Sequence, residues 1–98
     1  MRYKETLSKH RRLAILRFLS DCPEYTTNAS ILTDVVNAMG IASSRDQISG
    51  ELDWLKEQGF VDYHHHGAII IATASARGIE IATGRAFHHG VQRPRAEP

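Results

Sequence analysis

The chain has 98 residues, of which 42% are hydrophobic and 23% charged, with a formal net charge of +1. That suffices for one compact core but not two and is too apolar for a disordered chain, while the longest apolar run, Ala68 to Ala72, falls far short of the ~20 residues of a membrane span. A lone cysteine, Cys22, excludes an intrachain disulfide, and without a signal-type leader the expected setting is a reducing cytoplasm with no membrane contact.

Helix one is expected from about Tyr3 to Asp21, where Leu7, His10, Ala14 and Phe18, with Leu13, Ile15, Leu16 and Leu19, recur at helical spacing and Pro23 follows as a stop. The first twenty residues carry six basic side chains against one acidic, a net of +5, which makes them a candidate polyanion-facing segment. Thr27-Asn28-Ala29-Ser30 supplies cap oxygens for a short helix two through Ile31, Leu32, Val35, Val36 and Met39, with Gly40 at its C-terminal cap. Ser44 and Gln47 have the spacing of a capping box, so helix three starts near Arg45, presents Ile48, Leu52 and Leu55 inward with Trp54 beside them, and closes at Gly59. Residues 21–62 sum to −6.

Beyond Gly59 the pattern becomes β-prone. Phe60 to Tyr63 and Ile69 to Thr73 read as a hairpin joined by His64-His65-His66-Gly67. Thr73 or Ser75 then caps a fourth short helix through Ile81, ending at Gly84. The domain is therefore placed at residues 1–84, and residues 85–98, with two prolines and no apolar period, are expected to be a flexible basic tail.

This order, mainly α within an α+β class, with three helices, a hairpin and a short closing helix, resembles a winged helix-turn-helix domain over about residues 5 to 84. The third-helix exit Leu52-x-x-Leu55-x-x-x-Gly59-Phe60-Val61 resembles that superfamily. Ile71-Ala72-Thr73-x-x-x-x-Gly78 is similar to the Leu-Thr-x-x-Gly phrase of bacterial winged-helix regulators, with its glycine two residues later. More narrowly, Thr73-Ala-Ser-Ala-Arg-Gly78 and Gly90-Val-Gln-Arg-Pro94 resemble the small ArsR-like proteins of Mu-like phages and prophages. The resemblance implies a phage or prophage transcriptional regulator that binds double-stranded DNA and forms a homodimer through helix one and the terminal helix.

On that reading helix three lies in the major groove and offers Ser43, Ser44, Arg45, Gln47, Ser49 and Gly50. Arg45 suits guanine and Gln47 adenine. Gly50 either admits a close backbone or avoids a clash with helix two. Phosphates are expected to meet Lys9, Arg11 and Arg12, the wing histidines His64, His65 and His66, and Arg93 and Arg95 of the tail. Opposing this, Asp46, Glu51, Asp53 and Glu57 outnumber Arg45 and Lys56 on helix three. That acidity supports the rival reading, a winged-helix adaptor that contacts a protein partner in phage assembly or packaging. Metal sensing through His64 and His66 with His88 and His89 is considered and set aside, because the cysteine pair of such sensors is missing and the expected cluster sits at an exposed hairpin tip. No phosphate loop, nucleophile elbow or H-E-x-x-H helix is present, so no enzyme and no cofactor is expected, and a Cys22–His10 pair requires a proximity that spacing does not supply.

Overall fold

The computed structural model describes residues 2–95. It is an α+β fold, mainly helical, with four α-helices and one three-stranded antiparallel sheet: α1 (Tyr3–Asp21), β1 (Thr26–Asn28), α2 (Ala29–Ala38), α3 (Arg45–Glu57), β2 (Val61–His66), β3 (Ile69–Ala74) and α4 (Ala76–Thr83). No helix among the described residues is long and apolar enough to cross a membrane.

The caps explain where the helices begin. Asn28 Oδ1 accepts from the Ile31 amide at the start of α2. At α3 the reciprocal box forms: Ser44 Oγ accepts from Gln47 N at 3.1 Å, and Gln47 Oε1 accepts from Ser44 N at 2.9 Å. Glycine ends three of them, Gly84 (φ 80°) closing α4 as expected. Gly40 (φ 88°) and Gly59 (φ 79°) occupy the left-handed region, and the residues after them, Ile41 and Phe60, donate back to Val36 O and Leu55 O. Each paired acceptor also belongs to an apolar contact, so the chain leaves both helices at an angle set by core residues.

Between α2 and α3 only residues 39–44 intervene, and one side chain brackets them. Asn37 Nδ2 donates to Ser43 O and Asn37 Oδ1 accepts from Ser43 N, at 2.8 and 3.0 Å. The core gathers Ile15, Leu16 and Leu19 of α1, Leu32 and Val36 of α2, and Ile48, Leu52 and Leu55 of α3 with Ala72 of β3 and Ile81 of α4. Four consecutive residues of α1, Leu13 to Leu16, are all buried because α2, α3, α4 and the sheet approach that helix from different sides.

The sheet has the order β1-β3-β2, with Thr26 opposite Thr73 and Val61 opposite Ala74. Strand β1 is absent from the expectation. It follows a tight turn in which Glu24 and Tyr25 both adopt positive φ, 54° and 57°, a conformation that costs non-glycine residues roughly 1–2 kcal/mol each. The β1–β3 pairing and the Thr26–Thr73 hydroxyl contact at 2.8 Å hold the turn there.

Two further expectations change. The three histidines are not a connecting loop: His64, His65 and His66 complete β2, and the turn is Gly67-Ala68. Residues 85–95 do not leave the domain as a tail. Val91 is buried, Gln92 N donates to Lys9 O at 3.2 Å, and Gly90 O accepts from Arg12 at 2.9 Å. Gly90 lies so close to Trp54 that an added Cβ would stand 2.5 Å from the indole, which is why the segment can lie flat against α3. Residues 96–98 of the expected tail lie outside the described residues.

His88 is wedged between the rings of Trp54 (centroids 5.3 Å) and Phe60 (5.5 Å), and its Nδ1 accepts from Gly90 N at 2.9 Å. Burial, then the neighbouring His89 and Arg12, hold its pKa below the usual imidazole value. Protonation would remove the Nδ1 acceptor and is favoured in the unfolded chain. Stability from this contact is therefore complete above the ordinary imidazole range and declines as pH falls through it. Thermal unfolding followed from pH 7.5 to 5.5 should show a drop in Tm that is shallower in His88→Asn; equal slopes would contradict this role.

Candidate nucleic-acid interface

The expected contact residues separate into an outward group and an inward group. Outward at the start of α3, Arg45 is exposed and donates to Ser30 Oγ of α2 at 2.5 Å, a contact it can exchange for a ligand by rotating its own side chain. Ser49 is half-buried, on the wall of an open hollow of about 290 Å³ between Arg45, Ser30 and Ile69 of the hairpin. Gly50 is exposed and a Cβ there would meet nothing within 4 Å, so it is not needed to avoid α2. Ser44 and Gln47 are exposed but engaged in the capping box; the Gln47 oxygen required for a two-point adenine contact already accepts from the Ser44 amide.

Inward lie Arg11 and Arg12, which corrects their assignment to phosphates. Arg11 is 4% exposed and its guanidinium donates to Glu51 Oε2 (3.1 Å), Ser43 Oγ (2.7 Å) and Ala42 O (3.5 Å). Arg12 donates to Glu51 Oε1 at 2.8 Å and lies over the Trp54 ring at 3.8 Å. Both arginines share a side of α1 with Ile15, and that side faces α3. The desolvated guanidinium of Arg11 requires a buried carboxylate, which α3 supplies in Glu51. Ser43 is likewise fixed within this network rather than presented to solvent. Lys9 is half-buried, with its carbonyl pinned by Gln92.

The network changes the electrostatics of α3. Glu51, counted as a repulsive charge on the sequence, is buried and neutralised. Asp53 accepts from the Tyr63 hydroxyl, which raises the phenol's pKa. Asp62 pairs with Lys56 at 3.2 Å; that hydrogen bond, with the Tyr63 amide second, holds the carboxyl below its ordinary pKa. Lys56 also lies 4.7 Å above the Tyr63 ring. Among exposed α3 charges, Arg45 and Lys56 face Asp46, Asp53 and Glu57.

On β2 the exposed His64 and His66 alternate to one side of the sheet and His65 to the other, where its ring meets Tyr63 edge-on at 6.0 Å. His88 and His89 stack on each other at 4.5 Å beside Trp54 and do not join them. Among the described residues no group of three His, Cys, Asp or Glu side chains is placed to hold a metal ion. Cys22 and His10 lie at the end and the middle of one helix, about 18 Å apart along its axis. Burial and Asp21 raise the Cys22 thiol, the reverse of what a nucleophile needs. Sequence reasoning missed Asn37 and Glu51, which fix the turn and the α1–α3 contact; the partners of both are set by tertiary packing, and only Asn37 followed by Gly40 hinted at a capped helix end.

No family model matches the chain. The uncharacterized protein gp26 of Escherichia phage Mu is 43% identical over 91 residues, covering 93% of this chain and 94% of its own length. An uncharacterized protein of Haemophilus influenzae is 32% identical over 84 residues, 85% of this chain and 81% of its own.

Proposed function

The chain belongs to the family of the phage Mu protein gp26, and from that premise we propose that it is a winged helix-turn-helix protein that binds double-stranded DNA as a phage or prophage transcriptional regulator. In this reading α2 and α3 form the helix-turn-helix, the β2–β3 hairpin is the wing, and α3 enters the major groove. The observation that carries it is the pair of exposed positions in the first half of α3, Arg45 and the bare backbone at Gly50, on a helix from whose surface the Glu51 charge has been withdrawn. Arg45 is the base reader, since guanine offers two acceptors to one guanidinium. The exposed His64 and His66 with the Gly67-Ala68 turn lie over the sugar-phosphate backbone.

Selection from a randomised duplex pool tests this. Wild type should enrich a short guanine-containing motif and Arg45→Ala should lose it, a discrimination of about 1–3 kcal/mol per two-point contact. Enrichment of the same motif by Arg45→Ala would remove Arg45 from the reading.

Gly50 gives an independent check. Alanine there has room and should stabilise the helix by up to about 1 kcal/mol. Gly50→Ala is therefore expected to raise Tm while weakening duplex binding, because a methyl group intrudes where the DNA approaches. A raised Tm with unchanged binding would place the duplex elsewhere.

One observation favours the second reading, a protein-contact adaptor in phage assembly or packaging: the exposed carboxylates Asp46, Asp53, Glu57 and Asp62 exceed Arg45 and Lys56 around α3. An adaptor of this kind would bind a basic partner and leave duplex DNA unbound at low salt.

A further inference from the structure

Between the first half of α1, Trp54 of α3 and the His89-Gly90 turn lies an open hollow of about 600 Å³, within the ~300–1,000 Å³ usual for small-molecule sites. One wall is cationic and polar. Residues of a helix advance by about 100° each, so Lys4 and Lys9 stand at the two edges of a strip of α1, with Glu5 and Ser8 between them. Lys4 is exposed and Lys9 half-buried. The rise from one to the other is about 7.5 Å, short enough for both flexible side chains to reach a single anion in front of the Ser8 hydroxyl. The opposite wall is flat. His89 is exposed and stacked on His88, with centroids 4.5 Å apart and planes 20° from parallel, while Trp54 is half-buried with the Arg12 guanidinium 3.8 Å from its ring centre. Arg12 is not spare charge: it donates to Glu51 Oε1 and to Gly90 O, and so fixes this wall to α3 and to the C-terminal segment.

We propose that this hollow binds a free ribonucleotide, its 5′-phosphate held by Lys4, Ser8 and Lys9 and its base laid against His89 and the Trp54–Arg12 pair. Lysines act on phosphate as point charges, and stacked aromatic and guanidinium planes suit the face of a base. Glu5 selects among anions. A carboxylate between the two lysines repels a bare phosphate, but as an acceptor it takes hydrogen bonds from the ribose hydroxyls that adjoin a 5′-phosphate. Because Arg12 joins the hollow to Glu51, a bound nucleotide also braces the contact between α1 and α3. The site does not rest on the DNA reading, which uses Arg45, Gly50 and the hairpin.

Trp54 is the only tryptophan of the chain and stands in the wall, so its fluorescence reports occupancy. The full chain is titrated at low salt with adenosine 5′-monophosphate and, in parallel, with adenosine, inorganic phosphate and a short single-stranded oligodeoxyadenylate. The monophosphate should change the emission saturably at or below millimolar concentration and raise Tm, as a ligand of the folded state does. Adenosine and phosphate should each bind at least tenfold more weakly. Lys4→Gln/Lys9→Gln should weaken the monophosphate at least tenfold. The single variants Lys4→Gln and His89→Ala, which alter only exposed side chains, should each weaken it several-fold and cover the case in which the double variant fails to fold. Four outcomes overturn the proposal. Without a saturable response to the monophosphate, the hollow binds no nucleotide. If phosphate binds as tightly, the lysines form an anion patch and the flat wall is unused. If the oligonucleotide binds where the monophosphate does not, the occupant is a strand. If the monophosphate binds all variants equally, it sits elsewhere. None of these outcomes bears on Arg45, so failure here leaves the reading of α3 to its own test.

Discussion

Glu51→Ala is expected to destabilise the domain by about 3–5 kcal/mol, the range for removing one partner of a buried ion pair. The cost comes from what remains. Arg11 would keep its charge, 4% exposed, with only Ser43 Oγ and the Ala42 carbonyl as acceptors. Arg12, less deeply placed, still has Gly90 O and the Trp54 face and can turn toward water. For a domain of this size each kcal/mol moves Tm by about 4–8 °C, so a fall on the order of 15 °C or more should appear in thermal unfolding. Arg11→Met combined with Glu51→Leu should recover most of the loss, because an apolar replacement of a buried pair is often neutral. A Glu51→Ala Tm within a few degrees of wild type would mean that solvent reaches the network freely.

Gly78→Ala should destabilise the protein although alanine is the better helix former. A Cβ at this position would stand 2.1 Å from the Phe60 carbonyl oxygen and 3.3 Å from Leu16 Cδ2. The clash sets a Cβ, whose position the backbone fixes, against a backbone carbonyl, so no rotamer relieves it, and α4 must lift away from the α3–β2 corner. That corner is tied by three bonds through one residue: Ser75 N donates to Phe60 O, Ser75 Oγ donates to Gly59 O, and Gly78 N donates to Ser75 Oγ. Overpacking of this kind costs about 1–3 kcal/mol before any of those bonds is lost. Denaturant unfolding should place Gly78→Ala well below wild type and Gly50→Ala at or above it. The same sign at both positions would refute the close approach at Gly78.

The two glycines also mark where the sequence was readable. Gly78 belonged to the Thr73-to-Gly78 phrase that carried the family resemblance, and its spacing from Ser75 is what lets α4 start against Phe60. The capping box at Ser44 and Gln47 and the turns at Gly40 and Gly59 were equally legible, because each is a local bond pattern between near neighbours. Arg11 and Arg12 were not. Net charge along a helix says nothing about which side faces its neighbour, and their acceptor Glu51 lies about forty positions away. For the same reason the acidity of α3 was overstated by one carboxylate. Strand β1 escaped notice because three residues carry no period and the preceding turn uses Glu24 and Tyr25 where glycine or asparagine would have signalled it. The segment after Gly84 appeared as a tail because its anchorage needs only Val91, the Gly90 backbone and His88 against Trp54.

The most direct test of the DNA reading is a ¹H–¹⁵N spectrum of the full chain titrated with a mixed-sequence duplex at low and moderate salt. Early shifts are expected in the amides of residues 44–50 and 64–68, receding as salt is raised. An unchanged spectrum at low salt would contradict the DNA reading and leave the protein-contact reading in its place.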